Sequence, residues 1–223
     1  MSTRVYDVPV VFFDLDDSLI NHDANTLWIK WRYRRERWAV VEGFLALVSL
    51  YRAYKKGRVT HARLSQYYRT RTRGMTLLEY QQRIDQFFSE RGQLHIYPQA
   101  ASLLFAYRRQ NSTVVMITGA DDVMAKAYGK ALGIDHVISN RLAVENDRIL
   151  GLQQPMCYGE GKVALAEQFM AERGLTLKHA AFYSDSHADV PLLEQVKQPV
   201  VLNPNPTLAA LAQQRRWPCI DWR

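Results

Sequence analysis

An apolar run that ends in acid constrains this chain more than any other feature. Val10-Val11-Phe12-Phe13 is followed at once by Asp14-Leu15-Asp16-Asp17-Ser18. Four consecutive β-branched or aromatic residues predict a strand buried on both faces of a parallel sheet. The three carboxylates that follow serve no packing purpose. Like charges this close repel, and they resist desolvation unless a cation or a proton settles them. At the carboxyl end of a parallel strand, Asp14 and Asp16 form a site for a hard divalent cation and for acid–base chemistry.

The second half of the chain supports a parallel sheet. After Pro98 the sequence alternates between helical and strand patterns. A helix is predicted over 98–110, with proline near its first turn, and a strand over 113–117. Thr118-Gly119-Ala120-Asp121-Asp122 follows, then a helix over 121–132 stopped by Gly133. Residues 136–138 read as a short strand, and 142–150 as a hairpin turning at Asn146-Asp147. Further on come a helix over 162–172 ended by Gly174, a strand over 180–183, a short helix over 191–196, a strand over 200–202 and a last helix over 207–215. Strands alternating with helices predict a doubly wound parallel α/β sheet.

The segment between these parts differs. From Thr26 to about Arg91 there is no proline and no good strand. Apolar residues recur at helical spacing: Leu27, Trp28 and Trp31, then Val40 to Val48, then Leu77, Tyr80, Ile84, Phe87 and Phe88. Three or four helices are expected, with breaks at Gly57 and Gly74 and with Trp28 and Trp31 in their core. The chain therefore divides into an α/β core, 1–20 and 96–223, and a helical cap inserted after the first strand, 21–95.

Charge follows the same division. Ile20 to His95 holds 15 Lys/Arg and 6 Asp/Glu, a net of +9, out of +7 for the whole chain. The plain account is a solvated helical face. The alternatives are attraction of an anionic substrate, of nucleic acid or of an acidic membrane. Residues 38–51 are apolar with basic flanks, too short to span a bilayer. They fit a buried helix of the insertion or a helix lying on anionic lipid. Cys157 and Cys219 have neither CxxC spacing nor a nearby histidine cluster, which argues against zinc or a disulfide framework and fits a reducing cytosol. Met1 to Pro9 has no signal-peptide core, so a cytoplasmic protein is expected, peripheral at most to the inner membrane face.

Three strand ends carry polar groups that a doubly wound sheet gathers at one edge: Asp14 with Asp16, Thr118 with Gly119, and Asp185 with Asp189. Lys162 could reach the same edge. Such a set suits phosphoryl transfer: a carboxylate nucleophile, cations and backbone N–H groups for the phosphoryl oxygens, and a second carboxyl for proton transfer. In this order and spacing the chain resembles the haloacid dehalogenase superfamily of aspartate-nucleophile phosphatases, in its phosphoserine-phosphatase-like branch. The matching motifs are Phe13 to Leu19, Val115 to Gly119, Lys162, and Tyr183 to Leu193.

The resemblance implies roles for single residues. Asp14 would be nucleophile and magnesium ligand. Asp16 would be general acid/base and lend its carbonyl to Mg2+. Thr118, Gly119, Lys162 and Ser18 would hold the phosphate, with Thr118 and Lys162 also catalytic. Asp185 would bind the metal, with Asp189 close by. Asp17 and Ser18 depart from the usual Asn or Gly, then Thr; Ser18 keeps the hydroxyl, and Asp17 adds a charge that either tunes affinity or points away. His22 and His187 are read as solvated loop residues. The expected activity is magnesium-dependent hydrolysis of a small phosphomonoester such as an amino-acid or amino-alcohol phosphate. Hydrolysis of a lipid phosphate at the membrane is the alternative, and a non-catalytic phosphate-binding module a lesser one. No nucleic-acid partner is expected, and the oligomeric state is left open.

Overall fold

The computed structural model describes residues 5–36, 45, 48–50, 52 and 59–223. Strand β1 (Val10–Phe13) leads into the acidic turn. A helical segment follows, with α1 (Ala24–Tyr33), α2 (His61–Arg71) and α3 (Leu77–Glu90). The chain then alternates through α4 (Pro98–Arg109), β2 (Thr113–Asp121), α5 (Asp122–Leu132) and β3 (His136–Asn140). A hairpin of β4 (Leu142–Glu145) and β5 (Arg148–Leu152) precedes α6 (Glu160–Ala171), β6 (Ala180–Ser184) and α7 (Val190–Leu193). The chain closes with β7 (Gln198–Leu202), α8 (Pro206–Arg215) and β8 (Cys219–Ile220).

The main sheet has the order β3-β2-β1-β6-β7-β8, and every pairing in it is parallel. From β1 the chain winds outward through β2 and β3, then returns to the other side of β1 for β6, β7 and β8. The winding direction therefore reverses between β1 and β6, and a crevice opens there beyond the carboxyl ends. The strand period of two sorts the side chains onto both faces. Val11, Phe13, Met116, Ala181, Tyr183 and Val200 pack with α4, α5 and the helical segment. Val10, Phe12, Val115, Ile117, Phe182 and Val201 pack with α6, α7 and α8. Both faces are covered, which is why these strands read as unbroken apolar runs.

The elements differ from the sequence reading mainly at their ends. β2 continues past Ile117 to Asp121, because its pairing with β3 shifts register there and resumes at Asp121 with Asn140. Asp121 is then the N-cap of α5, accepting from the Val123 and Met124 amides, and not its first residue. α6 begins two residues early, at Glu160, after Gly159 at φ 54°. The hairpin turns at Asn146 and Asp147, both at positive φ, as expected of a tight two-residue turn. Gly74, at φ 78°, separates α2 from α3, and Trp28 and Trp31 are buried. The break at Gly57 lies outside the described residues, as does 38–51 apart from Leu45 and residues 48–50.

The helical segment leaves and rejoins the sheet at one place. Ile20 and Ile96 form an antiparallel bridge, flanked by Asn21 N–H to His95 O at 2.9 Å and Tyr97 N–H to Leu19 O at 3.0 Å. The β4–β5 hairpin rises from the core to meet the segment. Leu77 N–H donates to Asp147 O at 2.9 Å, and Leu152 N–H donates to Ser65 Oγ at 3.1 Å.

Candidate active site

The crevice between β1 and β6 is a cleft of about 350 Å³. Its floor carries Asp14, Asp16, Asp185, Asp189, Lys162 and Gly119. Its roof carries Asp23, Asn25, Leu50 and Leu64 of the helical segment. β1 and β6 pair Phe13 with Tyr183, and Asp14 N–H continues that ladder onto Tyr183 O at 2.9 Å. The ladder sets the depth of Asp14 relative to Asp185.

Lys162 stands at the centre. Its Nζ donates to Asp14 Oδ1 at 2.7 Å and to Asp189 Oδ2 at 2.8 Å. Asp189 Oδ2 also accepts from Ser184 Oγ at 2.6 Å. Burial alone would depress the ammonium's pKa, but Asp14 and Asp189 outweigh it and hold Lys162 above the ordinary lysine value. Gly161 lets the helix bring Lys162 in, since a Cβ there would lie 1.9 Å from Met156 O.

The carboxylates outnumber this cation. Burial pushes Asp14 up to about 6, with Lys162 opposing. Burial, then the charges of Asp23 and Asp14, push Asp16 well above the usual carboxylate range. Burial and Asp14 do the same to Asp185. Asp16 Oδ1 accepts from Ala24 N–H, in the first turn of α1, at 2.7 Å, which leaves Oδ2 for a proton. An excess of buried oxygen charge of this kind suits a hard cation such as magnesium. Asp14 and Asp185 supply hard oxygen from two strand ends. Among the described residues no three acidic, histidine or cysteine side chains group closely enough to ligate an ion unaided.

Other expected site residues stand beneath or beside the floor. Thr118 is fully buried under Gly119, and its Oγ1 accepts from Ala120 N–H at 3.1 Å. Ser18 Oγ accepts from Asp185 N–H at 3.1 Å and reaches Asp185 Oδ1 at 3.3 Å, so it steadies Asp185. Asp17 lines the cleft and a second recess with Tyr97, Asn203 and Arg223. Its φ of 51° is held by Asn203 Nδ2 on its carbonyl at 2.9 Å. His22 and His187 are exposed, as expected.

Four residues escaped the sequence reading. Asn140 ties Gly119 O, at 2.6 Å, to Cys157 N–H, at 2.8 Å, and so fixes the stretch after Ile117 against Cys157. Asn203 fixes the acidic turn. Asp23 caps α1 through Thr26 N–H at 2.6 Å, and Asn25 lies beside it. An aspartate just before an amphipathic run is a legible N-cap signal; the asparagines carry none.

Fold and site together define a protein of the doubly wound α/β class with a lysine-bridged set of aspartates at the switch point of its parallel sheet. The chain belongs to the haloacid dehalogenase-like hydrolases, whose family model matches residues 11–194. The histidinol-phosphatase of Neisseria meningitidis serogroup C (strain 8013) is 26% identical over 220 residues, 96% of this chain and 99% of that protein. A probable phosphatase of Mycobacterium tuberculosis (strain ATCC 25618 / H37Rv) is 32% identical over 127 residues, 57% of this chain. That match covers 44% of the mycobacterial protein, so the chain spans less than half of its length. Among solved structures, a Bordetella pertussis Tohama I protein of unknown function superposes with a TM-score of 0.86 at 25% identity, covering 96% of this chain and 98% of that one. A substrate-bound phosphoserine phosphatase shares the fold, with a TM-score of 0.67 at 14% identity over 97% of this chain and 94% of that one.

Proposed function

We propose that the chain is a magnesium-dependent phosphomonoesterase acting through an aspartyl-phosphate on Asp14. The observation that carries this reading is Lys162 Nζ bridging Asp14 and Asp189 at 2.7 and 2.8 Å on the floor of the cleft. The Asp14 carboxylate attacks phosphorus and the ester P–O bond breaks. Asp16, whose carboxyl burial pushes well above the usual carboxylate range, gives a proton to the departing alkoxide. It then takes a proton from water, which attacks the acyl phosphate to release inorganic phosphate and restore Asp14. Gly119 and Lys162 stabilise the phosphoryl oxygens. Asp14, Asp185 and the Asp16 carbonyl would hold magnesium, which would supply charge neutralisation at those oxygens. Residues 21–95 act as a cap that shields the intermediate from bulk water.

The roof supports a substrate class. Asp23 faces the cleft there. Of its two carboxylate oxygens, Oδ1 takes the Thr26 amide, and the other has no hydrogen-bond partner among the described residues. An alcohol with an amino group matches this charge better than an anionic one, so an amino-alcohol phosphate is favoured over a purely anionic substrate. The full-length likeness to a histidinol-phosphatase supports the same class. The lipid-phosphate alternative drew on residues 38–51, most of which lie outside the described residues, and no helix among the described residues is long and apolar enough to cross a membrane.

Phosphate release from p-nitrophenyl phosphate, phosphoethanolamine, histidinol phosphate and phosphoserine tests this. Turnover should need magnesium and vanish in Asp14→Asn, and mass spectrometry of acid-quenched enzyme should find phosphate on the Asp14 peptide. Full activity in the variant would defeat the mechanism.

A further inference from the structure

Arg71 is the least expected side chain of the helical segment. It belongs to the basic run yet is 1% exposed. It joins three cap elements to the core. Its NH2 donates to Asp121 Oδ2 at 3.1 Å and to the Tyr80 hydroxyl of α3. Its NH1 donates to Asn25 Oδ1 of α1, and its carbonyl accepts from Arg32. Tyr80 in turn donates to Asp121 Oδ2 at 2.8 Å. The guanidinium lies over the Trp28 ring at 4.5 Å and the Tyr68 ring at 5.0 Å. Asp121 ends β2, the strand that also carries Gly119. Arg71 thus ties the roof of the cleft to the strand that forms part of its floor.

This pairing orients Asn25. A guanidinium has donors only, so the atom of the Asn25 amide that meets it must be the oxygen. The amide nitrogen then points away from Arg71, on a residue that lines the cleft. Nδ2 has no hydrogen-bond partner among the described residues. Arg71 therefore fixes, on a cleft-lining residue, an amide whose two N–H donors it does not itself take.

We propose that Asn25 reads the leaving alcohol by donating from Nδ2 to a hydrogen-bond acceptor on it, and that Arg71 is the positioning residue that holds the amide in this orientation. The proposal rests on the phosphatase reading and sharpens it: the substrate's alcohol carries an uncharged acceptor, such as an ether, hydroxyl or ring nitrogen, beyond the ester oxygen. Neither role needs Arg71 to touch substrate, because its charge is already paired with Asp121.

The test uses ester pairs that differ by one acceptor: 2-methoxyethyl against butyl phosphate, and 3-methoxypropyl against pentyl phosphate. The unmodified protein should favour the ether of at least one pair in kcat/KM by about fivefold or more, chiefly through KM, as one neutral hydrogen bond provides. Asn25→Asp keeps an oxygen for Arg71 and replaces the donor with a carboxylate, so the preference should disappear or invert while the fold persists. Arg71→Lys keeps a cation for Asp121 but cannot also hold Asn25 and Tyr80, and should narrow the same ratio. If Arg71→Lys does not fold, the Asn25→Asp comparison decides. Equal kcat/KM for both members of both pairs, or a ratio that survives Asn25→Asp, overturns the proposal. Failure of the phosphatase reading looks different: no phosphate is released from any ester, p-nitrophenyl phosphate included, and the proposal falls with it.

Discussion

At the scale of single residues, the floor of the cleft trades stability for chemistry. Burial pushes Asp14 up to about 6 in the fold, against an ordinary 3.8, with Lys162 opposing. Between those values the folded chain holds more protons than the unfolded one, so stability falls as pH rises and the deficit persists above the window. Asp16 and Asp185 shift in the same direction. In chelator, Asp14→Asn should therefore be the more stable protein at pH 7. Its Tm advantage should grow by a few degrees between pH 4 and pH 7, and thermal unfolding at several pH values checks this. An advantage that is flat with pH would mean that Asp14 is not a strained buried carboxylate. Gly161 makes the converse case. Any side chain there must displace Met156 O, 1.9 Å from the added Cβ, so Gly161→Ala should lose about 1–3 kcal/mol in urea unfolding. The variant should lose turnover as well, because Lys162 moves with the helix.

At the scale of elements, the hairpin is the brace of the helical segment. Gly151 lies at φ 139°, and a Cβ there would come within 2.8 Å of Ser65 Cβ on α2. Gly151→Val should push α2 off β5, make the 61–90 helices open to limited proteolysis before the core, and raise KM while Tm falls little. Unchanged proteolysis would show that the hairpin does not brace the segment. How far such elements were legible depends on the range of the forces that make them. The strands, the Asn146-Asp147 turn and the Gly133 stop are written in neighbouring residues, and the acidic strand ends show because a run of carboxylates after apolar residues has no packing explanation. Arg71 was not legible. In the sequence it is one of 15 basic residues in a charged segment, and only the fold brings Asp121 from 50 positions away to pair with it. Asn25, Asn140 and Asn203 were hidden for the same reason, since each acts through a partner distant in sequence. β2 ran past its predicted end because sheet pairing, which no local pattern encodes, resumes at Asn140.

At the scale of the whole molecule, charge is divided between the two parts of the chain. The segment 20–95 carries +9, against −2 for the remainder, while the cleft beneath it is lined by aspartates. On the proposed function, a phosphomonoester dianion would be drawn by the exposed basic side chains of the described part of the segment toward a floor of aspartates. The arginines of that segment do not all serve this field: Arg71 and Arg32 are buried, whereas Arg34, Arg63 and Arg69 are exposed. Exposed charges act over about 10 Å at 0.1 M salt and are screened beyond it. Raising sodium chloride from about 0.05 M to about 0.5 M at saturating magnesium should therefore lower kcat/KM roughly three- to tenfold, with kcat nearly constant, the mark of a steering effect. Replacing Arg34, Arg63 and Arg69 together by glutamine should flatten that dependence without moving Tm by more than a degree or two, because solvated charges contribute little to stability. A kcat/KM indifferent to salt would assign the basic surface to solvation alone and leave substrate capture to the cleft.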